Sequence, residues 1–134
     1  KNDSVAPSLD DVPEDLRGFW QKGCDTEGYD EGYLLTTHKS SILFKDNTAV
    51  FIYEVYEEDE CAGNITARSI DELPFRIEGS AITETGLEAT IVNADNHETG
   101  VMWEYSYHQS GGQLYIGGSL DLNNPFNFDD PYFR

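Results

Sequence analysis

The sequence predicts an all-β domain, a barrel or a sandwich, from three observations. Apolar and polar residues alternate in about seven to nine short runs, spaced roughly ten residues apart and separated by turn residues. No stretch keeps a helical period of any length. Two cysteines, Cys24 and Cys61, stand at the end of the first run and after a later one, where a single disulfide would staple a small exported domain. Two free thiols are the alternative, since spacing alone does not establish pairing.

At 134 residues the chain is one domain. Eight Lys and Arg stand against 26 Asp and Glu, for a net charge of −18. That balance argues against a nucleic-acid partner, because phosphate binding needs cations that release counterions. It also opposes contact with anionic membranes. A basic partner or a cation would be steered by such a field, while a salt-adapted, solubilising surface is the plainer reading. No apolar run approaches the roughly 20 residues that span a bilayer, so no transmembrane segment is expected.

Residues 1–15 read as a polar linker with Pro7 and Pro13, of the kind that follows a processed signal or a lipid-anchored terminus. A short helical turn fits Asp11 to Leu16, with Pro13 tolerated in its first turn. The domain proper runs over 16–134 and opens with Gly18-Phe19-Trp20. Ser41 to Phe44 leads through a tight turn at Lys45-Asp46-Asn47-Thr48 into Ala49 to Tyr56, a run rich in β-branched and aromatic residues. Ala49, Phe51, Tyr53 and Val55 share one face of that run, and Val50, Ile52, Glu54 and Tyr56 the other.

Ile65 to Ile70 and Leu73 to Glu78 form the next strand region, with a break expected near Asp71. Thr85-Gly86 turns into Leu87 to Val92, and Asn93 to Gly100 is a polar loop. Val101, Trp103, Tyr105 and Tyr107 then line one face of a strand, opposite Met102, Glu104, Ser106 and His108. Ser110-Gly111-Gly112-Gln113 is a hairpin turn, because glycine supplies the positive φ of two-residue loops. Leu114 to Ile116 returns as its partner, and Gly117 to Arg134 is an Asn-, Asp- and aromatic-rich tail that wraps the surface.

These runs resemble a group of small bacterial exported and lipoprotein-type domains with a lipocalin-like β-barrel. The resemblance rests on Gly18-Phe19-Trp20 ahead of Cys24, Ser41-Ile42-Leu43-Phe44 before a turn, and Tyr56-Glu57-Glu58-Asp59-Glu60-Cys61 closing the aromatic strand. At the far end, Leu114-Tyr115-Ile116-Gly117 and Pro131-Tyr132-Phe133-Arg134 look like that group's closing strand and terminus. It spans most of residues 16–134 and implies an antiparallel up-and-down barrel of about eight strands. It further implies a disulfide between Cys24 and Cys61 and an exported location, periplasmic or extracellular, with or without a lipid anchor. Trp20 would close the barrel floor, a packing role. One fold hosts many functions, so the resemblance implies little chemistry.

Motifs for catalysis are missing. There is no Gly-x-Ser-x-Gly elbow, no His-Glu-x-x-His and no phosphate-cradling glycine loop. A disulfide would consume both thiols, and His108 alone makes a weak general base. His38, His97 and His108 are scattered, with no Cys-x-x-Cys, so no zinc site is expected. Three acidic sets invite calcium: Asp25, Glu27, Asp30 and Glu31; Glu57 to Glu60; and Asp121, Asn123, Asn124, Asp129 and Asp130. The first does not match the twelve-residue calcium loop, and for all three a charge run is more often a solvated face. Asn2-Asp3-Ser4 and Asn64-Ile65-Thr66 match the glycosylation sequon, which matters only in a eukaryotic secretory setting.

The expected function is therefore a non-enzymatic binding module without a cofactor or metal. Its ligand would be a small apolar or amphipathic molecule on the faces of Phe51, Tyr53, Val55, Trp103, Tyr105 and Tyr107. A side-chain-filled barrel without a cavity is the plain counterpart. The rival classes are an acidic surface that meets a basic protein partner, and a calcium-stabilised structural domain.

Overall fold

In the computed structural model, residues 8–27, 36–118 and 130–134 are described. They form one antiparallel sheet: β1 (Gly18–Gln21), β2 (Asp25–Glu27), β3 (Thr36–Lys45), β4 (Thr48–Glu58), β5 (Ala62–Pro74), β6 (Ile77–Ile82), β7 (Glu88–Asn93), β8 (Glu104–Ser110), β9 (Gln113–Gly118) and β10 (Tyr132–Phe133). The spatial order is β5-β4-β3-β1-β10-β9-β8-β7-β6, with β2 paired to β3 off that path. All-β class, antiparallel pairing and the turns at Asp46-Asn47 and Gly111-Gly112 agree with the sequence reading. Asp46 and Gly111 take φ of 52° and 62°, the twist those tight hairpins require.

The sheet is not closed by strand pairing, since β5 and β6, the two ends of the strand order, are not paired to each other. The eight pairings from β5 round to β6 are all antiparallel, so β5 and β6 point the same way. Only Phe75 and Arg76 separate them in the chain. Parallel neighbours need a crossover of about a dozen residues, so these two strands cannot pair side by side. The sheet stays open between β5 and β6, and the chain passes from one to the other through a bend. β5 itself runs unbroken through Asp71, where an interruption was expected; the break falls instead at Phe75–Arg76.

That bend is pinned from several sides. Phe75 N–H donates to the Asn47 carbonyl at 3.0 Å, and the Phe75 carbonyl accepts from Asp10 N–H at 2.8 Å. Ile77 N–H donates to Asp10 Oδ2 at 2.7 Å, and Asn93 N–H to the Arg76 carbonyl at 2.8 Å. The Phe75 ring is fully buried and lies edge-on to Phe44, 6.3 Å between centroids, and 6.4 Å from Tyr107. It thereby joins β3 of one half of the sheet to β8 of the other, at the corner where the chain passes from β5 to β6.

The core lies between the two halves. On the first, register places Trp20, Ile42, Phe51 and Asp71 in one cross-strand row, and Phe44, Ala49 and Leu73 in the next. On the second, Val92 faces Tyr105, Tyr107 faces Ile116, and Leu114 faces Tyr132. Residues 8–17, partly inside the segment read as a linker, cover one end. Val12 and Leu16 are buried there beside a single turn in which Leu16 N–H donates to the Pro13 carbonyl at 2.9 Å.

Trp20 seals the same end. It is fully buried, and its indole N–H donates to the Leu16 carbonyl at 2.8 Å. The Arg134 guanidinium stacks on its ring at 4.2 Å and donates to the carbonyls of Arg17 and Asp15. Gly18 has φ of 112°, and a Cβ there would stand 2.9 Å from an Arg134 nitrogen, which explains the glycine two residues before the tryptophan. The tail thus ends as a strand inside the sheet, between β1 and β9.

Candidate functional site

Cys24 and Cys61 form the disulfide, closing a span of 37 residues with Cα atoms 5.9 Å apart. Chain entropy assigns such a crosslink about 4 kcal/mol. It ties the start of β2 to the 3₁₀ turn after β4, where Thr37 Oγ1 donates to the Glu58 carbonyl and accepts from Cys61 N–H. Asp25 and His38, also at this end, approach within 3.8 Å. Glu57 to Glu60 are exposed. Among the described residues, no three His, Cys, Asp or Glu side chains converge to hold a metal. Asp30, Glu31, Asp121, Asn123, Asn124 and Asp129 lie outside the described residues.

The six residues expected to hold a ligand separate into three environments. Phe51, Trp103 and Tyr105 come together: the Phe51 centroid lies 5.1 Å from Trp103 and 5.2 Å from Tyr105, both edge-on, and Trp103 lies 5.1 Å from Tyr105. Tyr107 is buried next to Phe75. Tyr53 stacks on His38 at 5.1 Å, and Val55 pairs with His38 in register. Tyr53 and Val55 share the face of Phe51 but do not join its cluster.

A cleft of about 250 Å³ opens beside this cluster, lined by Phe51, Asp71, Leu73, Val101 and Trp103. Two elements build it. Residues of β4 and β5 supply one wall, since register sets Asp71 directly across from Phe51. The loop from β7 to β8 supplies the other. Ala94 N–H donates to the Trp103 carbonyl at 2.8 Å, Trp103 N–H to Asp95 Oδ1 at 2.6 Å, and Asn96 N–H to the Val101 carbonyl at 2.8 Å. Gly100, at φ 79°, and the Asn96 side chain, which accepts from Glu98 and Thr99 N–H, shape the loop tip. The backbone thus holds Trp103 in place while the residue stays 39% exposed.

Tyr105 lies behind the cleft. It is fully buried, and its hydroxyl has no hydrogen-bond partner among the described residues. Burial first, and the neighbouring Tyr107 second, push its phenol far above the ordinary tyrosine range. Asp71 and Leu73 were not expected at the site. Their signal was period-two alternation carried through β5, which a strand broken at Asp71 conceals.

Among the described residues, two further clefts are larger and more polar. One, of about 420 Å³, lies between Leu9, the Glu72–Pro74 end of β5 and residues 95–98, and also includes Thr48 and Arg76. There the Arg76 guanidinium donates to the Asp95 carbonyl at 2.9 Å, which tightens the corner. The other, of about 340 Å³, lies beside Cys24, Asp25 and Phe133. Small-ligand sites are concave and mainly apolar with a few placed polar groups, and of these three the cleft at Trp103 fits that description best.

Among the described residues, no helix is long and apolar enough to cross a membrane. Compared with family models, curated proteins and solved structures, the chain matches none, so its chemistry is read from its own side chains.

Proposed function

We propose that this protein is an exported, non-enzymatic binding module that holds a small apolar or amphipathic molecule at the Phe51–Trp103 cleft. The observation that carries the reading is Trp103. Its backbone is anchored, its ring packs against Phe51 and Tyr105, and part of its surface stays open at the cleft shared with Leu73 and Val101. A ring already ordered by its neighbours loses little freedom when a ligand covers it. The disulfide supports export, since such bonds persist in oxidising compartments. Kinship with lipocalin-like domains, lipid-anchored or free, is supported by Trp20 packed at one end of the core. The open seam between β5 and β6 departs from a closed barrel.

The net charge of −18 favours a second reading, an acidic surface that attracts a basic partner. Binding of that kind weakens steeply with salt, whereas apolar cleft binding is nearly indifferent to it. The test is native mass spectrometry on protein purified from its own host, before and after mild organic extraction. A copurifying small molecule lost on extraction supports the cleft reading. A bare chain, together with a Trp103 indole resonance that no apolar probe shifts, overturns it.

A further inference from the structure

We infer that the cleft selects a small organic ammonium ion, an apolar body carrying one fixed positive charge; the inference rests on the cleft reading above. Three features converge. Asp71 brings a carboxylate to a wall otherwise made of Phe51, Leu73, Val101 and Trp103, and among the described residues no Lys or Arg lines the cleft. That carboxylate is not neutralised internally: it accepts one hydrogen bond, from Ser69 Oγ at 3.4 Å, and pairs with no cation among the described residues. The nearby Arg68 is held by Glu54, at 2.7 and 2.9 Å, and belongs to the opposite face of the sheet by register.

The second feature is the pair of rings. Phe51 and Trp103 meet at an interplanar angle of 74°, so their walls form a corner. Aromatic faces attract cations within about 6 Å, tryptophan most strongly, and corners of this kind recognise alkylated ammonium groups. The chain uses the same physics at Trp20, whose face carries the Arg134 guanidinium. Among the described residues no cation lies over Trp103. Third, the net charge of −18 enriches cations near the surface and repels carboxylates, so fatty-acid-like amphiphiles are disfavoured. The cleft, about 250 Å³, falls below the roughly 300 Å³ at which drug-sized pockets begin, which limits the occupant to a small molecule.

The experiment compares two probes of one shape, benzyltrimethylammonium and its neutral isostere neopentylbenzene, on the full oxidised chain. The indole N–H resonances of Trp103 and Trp20 are followed by NMR. The cation should bind at least about tenfold more tightly than the isostere, a difference within reach of one desolvated cation–aromatic contact plus a carboxylate. Only the Trp103 resonance should move. Asp71→Asn should weaken the cation about threefold to tenfold and leave the isostere unchanged. Asp71 is exposed, so an unaltered thermal midpoint is expected to show that the variant folds. Trp103→Leu should abolish cation binding. Equal affinity for both probes overturns the ammonium inference and leaves the apolar cleft standing. Binding of neither overturns both.

Discussion

The two tryptophans teach different lessons about one physical arrangement. Trp20 is fully buried, its indole N–H is satisfied by Leu16, and its face is covered by a cation from the chain's own end. Trp103 is anchored through its backbone N–H, yet the residue stays 39% exposed, and no described cation lies over it. The first has every partner it needs and is structure. The second packs against Phe51 and Tyr105 and remains partly open beside a cleft, where binding energy remains available.

If that contrast is right, replacing Trp20 should be the costliest change. Trp20→Ala is expected to lose about 3–5 kcal/mol by removing a buried ring and leaving a void, measured by urea unfolding. A loss no larger than that of an exposed-site substitution would break the comparison. Removing the crosslink with Cys24→Ser and Cys61→Ser together should cost about 2–4 kcal/mol without changing the sheet. A smaller change would mean that the Thr37 hydrogen bonds already order that end.

Arg134→Met keeps the stem over Trp20 but loses the cation and its hydrogen bonds to Arg17 and Asp15. About 1–2 kcal/mol should be lost, seen as a lower denaturant midpoint. By contrast, Trp103→Leu is expected to stay within about 1 kcal/mol of the parent, since half-exposed positions outside the core contribute little. An equal cost at the two tryptophans would show that Trp103 is core.

The smallest effect sharpens the chemistry behind the cleft. Tyr105→Phe removes a buried hydroxyl that lacks a described partner and should be neutral or slightly stabilising. A clear loss would reveal an ordered water or a ligand oxygen on that hydroxyl. The pH dependence follows from the same burial. Burial raises the phenols of Tyr105, Tyr107 and Tyr132 above their ordinary value; a Thr90 hydrogen bond partly opposes this at Tyr107, and one with Ser40 at Tyr132. Unfolded tyrosines ionise near pH about 10. Above that pH the folded chain therefore binds more protons than the unfolded one, and stability falls as pH rises. The tyrosine contribution should be constant through neutral pH and decline from about pH 10 upward, measured by denaturant midpoints.

Local pattern made much of this legible. The face of Ala49, Phe51, Tyr53 and Val55 follows from period two, and the hairpins at Asp46 and Gly111 follow from turn chemistry. The disulfide was an expectation that geometry confirmed. Phe51, Trp103 and Tyr105 were readable as apolar strand-face residues, but not as a cluster, because contact between β4 and β8 depends on how the sheet folds over.

What the sequence determined by itself is what near neighbours enforce, alternation, turns and strand content, together with a net charge of −18. What only the tertiary structure decided is the closure of the sheet and the composition of the site. Whether β5 and β6 can pair depends on a direction accumulated over eight antiparallel steps around the molecule. No local pattern carries that count. Asp71 meets Phe51 and Trp103 for the same reason, through register on one side and a loop returning from the opposite half on the other.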